Sequence, residues 1–145
     1  MYKLLAVAGP SQEGLTSNRR PLQLQVNDAK RDLHHALRDG HPDPHVIQAH
    51  IDQMVAVMAE RNVRGQELEQ HDQLDAAIAL YEANVDDMFE GPHAFDRLLA
   101  IYEKHHAHED AERIARACLV HCTEGLSEAL RARCLLALHI DDRAV

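Results

Sequence analysis

Ala111 stands one repeat after Ala77 (111 − 77 = 34), inside two stretches that read alike: "LDAAIALYEANV" over 74–85 and "HEDAERIARACL" over 108–119. A recurrence of that length marks a repeated supersecondary unit that buries its apolar face only by stacking on its neighbours. Both stretches have helical spacing. Leu74, Ala77, Ile78, Tyr81, Val85 and Met88 share one face, and Ala111, Ile114, Ala115, Cys118, Leu119 and Cys122 share another. Alanine at a helix contact lets the two axes approach closely. Aromatic residues make up 3% of the chain and Trp is absent, so the core has to come from Ala, Leu, Ile, Val and Met. Runs of β-branched and aromatic residues, the usual strand material, are scarce.

The rest of the chain fits the same class. Leu22, Leu24 and Val26 alternate as in a strand, but Leu22, Val26, Ala29, Leu33, Ala36 and Leu37 follow a helix face over more residues. Pro21 and Gly40 suit its start and stop, so a helix is expected over about 20–39. Asp43 with Pro44 marks the next N-terminus. That helix should run to about His71, with a bend at Gly65. Pro92 ends the following helix. Phe95 to His106, Ala111 to Cys122, and a last helix capped by Ser127 and holding Leu130, Cys134, Leu135 and Leu138 complete the set. The expectation is an all-α protein of about six helices joined by short turns, mostly antiparallel neighbours. Residues 1–19 read as an irregular arm and 20–145 as one helical domain. The domain divides into an N-terminal hairpin or cap (20–57), the repeat region (58–125) and a C-terminal helix (126–145).

The period and its residues resemble tetratricopeptide repeats, whose pattern is W-x2-L-G-x2-Y followed by A-x3-F. Phe95-x2-Leu98-Leu99-x2-Tyr102 carries it with Phe for Trp and Leu for Gly, and Ala111 supplies the small residue of the second helix. Gly65-x2-Leu68 and Ala77-x3-Tyr81 carry it one unit earlier, with Arg61 and Arg64 where large apolar residues belong. A partial third unit begins near Leu126, with Leu136 two periods after Leu68. The resemblance covers about 58–125. It implies a protein–protein interaction or adaptor module in which the first helix of each unit lines a concave surface. Asn62, Gln66, Glu69, Asp96, Arg97, Ala100, Glu103 and Lys104 would then face a protein or peptide partner. Their mixed signs suit a peptide carrying both charges, and the Lys/Asn clamp of some family members is not matched. Solenoids usually need at least three stacked units, so a second copy or the N-terminal helices would cover the exposed face, and a homodimer is expected.

A formal charge of −9 repels phosphate backbones and anionic lipid, so neither nucleic acid nor a membrane is an expected partner. Three cysteines close no disulfide framework. No apolar run reaches the length of a membrane span, and the stretch before Pro10 is too short for a signal-peptide core. A cytoplasmic protein with reduced thiols is expected. The sequence holds no G-x-S-x-G, P-loop, G-x-G-x-x-G or H-E-x-x-H, so neither an enzyme nor a cofactor is expected.

"CLVHC" is the sharpest alternative. Cys118, His121 and Cys122 stand on one helix, with Cys134 and His139 on the next, and thiolate and imidazole are zinc ligands. That would make a ligand- or metal-responsive regulator of the His/Cys-rich second half. Against it, Cys118 and Cys122 fall on the apolar stripe, where cysteine acts as a small hydrophobe. His105, His106 and His108 read as a solvated turn. Adjacent acids such as Asp86-Asp87 point about 100° apart on a helix and read as solvated charges.

Overall fold

Asp43 accepts a hydrogen bond from the His45 amide at 2.9 Å, with Pro44 in the first helical position, and so starts the longest helix of the chain. The computed structural model describes residues 19–122 and 125–139. They form α1 (Leu22–Asp39), α2 (Pro44–Gln70), α3 (Leu74–Asp86), α4 (His93–Lys104), α5 (His108–His121) and α6 (Glu128–Ala137), with no strand among the described residues. The protein is all-α. Apart from Arg19, the expected N-terminal arm lies outside the described residues, as do 140–145. Gly40 ends α1 in the left-handed region (φ 71°), and its amide returns to the Ala36 carbonyl at 2.7 Å. Ser127 caps α6 through the Leu130 amide.

Each helix packs chiefly on its neighbours in the chain. Along α2 and α3 the contacts run in opposite order: Met58 and Asn62 meet Asn84, while Gly65 and Glu69 meet Tyr81. At Gly65, where a bend was expected, α2 continues as helix and approaches Tyr81 closely. α1 has 18 residues, the same length as the run from Pro44 to Arg61, and its first turn lies beside Arg61 through the shared partner Asp87. α1 and α3 therefore lie end to end along the 27 residues of α2. Two apolar clusters result. Val26, Ala29, Ile51, Met54 and Met58 form the smaller, between α1 and the first half of α2. The larger gathers Ala77, Tyr81, Phe95, Leu98, Tyr102, Ala111 and Cys118 among others. Ala77 and Ala111 are both buried, as a close helix contact requires.

The ends of α2 and α4 repeat each other bond for bond. Gln73 N–H reaches the Leu68 carbonyl at 2.9 Å, and one repeat later (107 − 73 = 34) Ala107 N–H reaches Tyr102 at 2.8 Å. Asp72 to Glu69 and His106 to Glu103 are both 3.2 Å. These pairs close a Schellman turn around a left-handed residue, and Asp72 and His106 both have φ 57°. At the end of α6 the left-handed residue is His139 (φ 58°), one position short of a second such step, and its amide reaches the Leu136 carbonyl at 3.0 Å. That offset corrects the expected register at Leu136. Leu135, buried, stands where Leu68 and Tyr102 stand, and Leu136 is 75% exposed.

Candidate functional site

Glu69, in the last turn of α2, accepts the Tyr81 hydroxyl at 2.5 Å and the Arg97 guanidinium at 2.6 and 3.1 Å. One carboxylate thus joins three consecutive helices. Glu82 repeats the arrangement one helix later, taking Tyr102 at 2.8 Å and Arg113 at 2.5 and 3.0 Å. Burial pushes the Glu69 carboxyl up, but the bonds from Arg97 and Tyr81 outweigh it and hold the group below the usual range. Burial and the neighbouring carboxylate push the Tyr81 hydroxyl up, which keeps it a donor. Asp96 and Glu103 both face Arg133 of α6, Asp96 at 2.5 Å and Glu103 at 3.7 Å.

Most of the charges expected to read a partner are therefore already paired, Glu69 with Arg97 and Asp96 and Glu103 with Arg133. A depression of about 380 Å³ is walled by Glu69, Asp72, Arg97, Ala100, Lys104 and His105. A second, of about 250 Å³, lies across the Glu69–Arg97 pair and is lined by Gln66, Glu69, Gln70, His93 and Arg97. A third, of about 340 Å³, shares His93 and continues along Asp96, Ser127 and Leu130. Together they make a trough across α2, α4 and the start of α6. Asn62 turns partly inward and accepts the Asn84 amide at 2.8 Å. Lys104 and Gln66 are exposed. His93 is not among the expected site residues. It stands one turn before Arg97 on the same helix face, and that spacing is the signal that could have found it.

A second polar cluster sits where α3 meets α1. The Asp87 carboxylate accepts Arg61 at 2.6 Å, Arg19 at 3.1 Å and the Leu22 amide at 3.0 Å, and the Asp87 carbonyl accepts the Gln23 amide at 3.0 Å. Pro21 caps nothing with its side chain, so Asp87 supplies the first turn of α1 with a cap from 65 residues away. The expectation of a solvated Asp86-Asp87 pair is corrected here: Asp86 is exposed, while Asp87 is 4% exposed. Burial pushes the Asp87 carboxyl up, and the bonds from Arg61, Leu22 and Arg19 together pull it below the usual range. Arg61, placed where the repeat pattern wants an apolar residue, serves this junction and also reaches Asn84 at 3.2 Å.

Cys118, Cys122 and Cys134 are buried and unbridged in the larger apolar cluster. A hydrogen bond with Cys134 and burial push the Cys118 thiol up, and burial pushes Cys122 up. Burial thus favours thiol over thiolate at Cys118 and Cys122, while the bond with Cys118 holds the Cys134 thiol below its ordinary value. Among the described residues, His121 and His139 among them, no three His, Cys, Asp or Glu side chains converge to hold a metal ion. His105, His106 and His108 are exposed. No described helix is long and apolar enough to cross a membrane. Comparison with protein-family models, with curated proteins and with solved structures finds no match to this chain.

Proposed function

We propose that the chain is a tetratricopeptide-like adaptor of the cytoplasm that holds a peptide or partner protein in the trough across α2 and α4, without catalysis. The observation that carries this reading is that Gln66, Glu69, Arg97 and Lys104, chosen on the repeat pattern, line two depressions that share Glu69 and Arg97. Backbone turns that recur at the repeat spacing, at the ends of α2 and α4, support it. The reading includes a homodimer, in which a second copy covers the exposed Leu37, Val46 and Val57 of the α1–α2 hairpin. A monomeric mass by light scattering would remove that part.

Arg97 is unsuited to the test, because its loss would strip Glu69 of its partner. Lys104→Glu combined with Gln66→Glu changes two exposed side chains with no ion pair of their own. Wild type, this variant and an Arg116→Glu control on α5 are used to capture partners from native-host extract, with identification by mass spectrometry. A partner held by wild type and the control but lost by the double variant is the expected result. An identical partner set for all three overturns the trough as the binding surface.

A further inference from the structure

α2 is apolar on more than the side it buries. Ile51, Met54 and Met58 belong to the smaller cluster, and α2 packs chiefly on α1 and α3. On its outward side Val46, Val57 and Val63 are 66%, 43% and 54% exposed, with Ala49, Ala56 and Ala59 exposed between them. From 46 to 63 the exposed acids are Asp52 and Glu60, and no Lys or Arg of that stretch is exposed. Arg64 is the first exposed cation along α2. The outward side of α1 is different: Lys30, Arg31, Asp32, Arg38 and Asp39 crowd it with charge. A helix that is apolar all round is ordinarily covered all round, yet the outward side of α2 is open.

Charge and spacing select the occupant. We propose that a second copy of this chain covers this face with its own α2, antiparallel across a two-fold axis. A two-fold contact pairs residue i with j and j with i. In a parallel pair Asp52 and Glu60 would each meet their own copies, and the helix dipoles would align. In an antiparallel pair the dipoles oppose. At ~100° per residue, the two registers nearest the middle of α2 that bring both outward sides together differ in charge. One sets Asp52 against Glu60, acid on acid. The other sets Asp52 against Arg64 of the second copy, twice over, with Gln53 on Val63, Ala56 on Glu60 and Val57 on Ala59. Glu60 stands one turn before its own Arg64, the favourable order on a helix. The second register therefore has attraction where the first has repulsion. It overlaps residues 46–70, about 36 Å of helix. A strip one helix wide, about 10–12 Å, makes an interface at the small end of the specific range. The dimer is accordingly reversible and dissociates in the micromolar range. The inference rests on the homodimer reading, and it adds the helix, the direction and the register.

Asp52 and Arg64 stand 12 residues apart on one helix (64 − 52 = 12), about 18 Å along its axis. Coupling between them is therefore a contact between copies. Both side chains are exposed and neither belongs to an apolar cluster. Sedimentation velocity of the full chain over about 1–500 µM reads the dimer constant. Asp52→Arg and Arg64→Asp should each weaken the dimer roughly tenfold, and the two together should restore it. Circular-dichroism melts of dilute samples should match wild type for all three variants. A wild-type dimer that none of the variants changes overturns this inference and leaves the homodimer on another face. Single variants that weaken the dimer, with no recovery in the double variant, overturn the Asp52–Arg64 register and the inference with it. A monomer at every concentration overturns the homodimer reading as well, and leaves this face to a segment of the same chain or to another protein.

Discussion

Gly65 lies so close to Tyr81 that a methyl group on its Cα would stand 2.5 Å from Cε1 and 2.8 Å from Cζ. One repeat further along the chain the equivalent positions are Leu99 and Ala115 (99 − 65 = 34, 115 − 81 = 34). Both are fully buried, and they exchange the sizes, large on the first helix and small on the second.

Gly65→Ala sets two effects against each other. Alanine gains about 1 kcal/mol of helix propensity over glycine, while overpacking in a close contact costs about 1–3 kcal/mol. Tyr81 is held by Glu69 and has little room to yield, so the clash wins and urea unfolding should show a net loss of about 1–2 kcal/mol. Gly65→Leu with Tyr81→Ala copies the Leu99/Ala115 solution. The double variant should be more stable than the sum of its single changes predicts, and strict additivity would refute the exchange of sizes.

The Asp87 junction is expected to govern α1 and the half of α2 that it packs on. Asp87→Ala leaves Arg61, Arg19 and the first turn of α1 without their acceptor, a loss of about 2–4 kcal/mol for a partly buried ion-pair cluster. Hydrogen exchange should rise over 22–39 and in the first half of α2, with protection of α4 and α5 retained. Uniform loss across all six helices would contradict the division into two apolar clusters.

Acid should act through the same group and through Glu69. Both carboxyls are held below their usual values, so each contributes stability that is fully present above an unfolded value of about 4 and is lost as pH falls through the folded value. The melting temperature should be level between about pH 8 and 5 and fall below about pH 4. Asp87→Asn should lower stability at neutral pH and make the acid limb shallower. An unchanged acid limb in this variant would show that Asp87 is not its source.

Left-handed residues other than glycine store strain of about 1–2 kcal/mol. Replacing His106 with glycine should therefore stabilise the protein by about 0.5–1 kcal/mol after the entropy gained by the unfolded chain is subtracted. Asp72→Gly should gain less, since aspartate tolerates this region better. Thermal melts of the two variants, read against Gly91→Ala as an ordinary loop change, decide it.

Local signals were legible and distant ones were not. Asp43-Pro44, Gly40 and Ser127 act within a few residues of themselves, so their helix ends could be read directly. The set holding Gln66, Glu69, Arg97 and Lys104 followed from the resemblance to the repeat pattern. Its pairing did not, because Glu69 meets Tyr81 and Arg97 from 12 and 28 residues away. Asp86 and Asp87 look interchangeable in sequence. The roughly 100° between them sends one into solvent and the other into a junction that exists only once α1 has docked. The polar Arg61 read as a departure from the pattern for the same reason: its partner lies 26 residues further on.

Because α1 and α3 divide the length of α2 between them, a single rod belongs to two separately melting bodies. The half near Pro44 has one helix and a small apolar cluster to hold it, and the half near Gln70 packs on α3, which belongs to the larger cluster. Limited proteolysis should therefore clip first around His41 to Val57 and leave a resistant C-terminal fragment that still carries the whole trough.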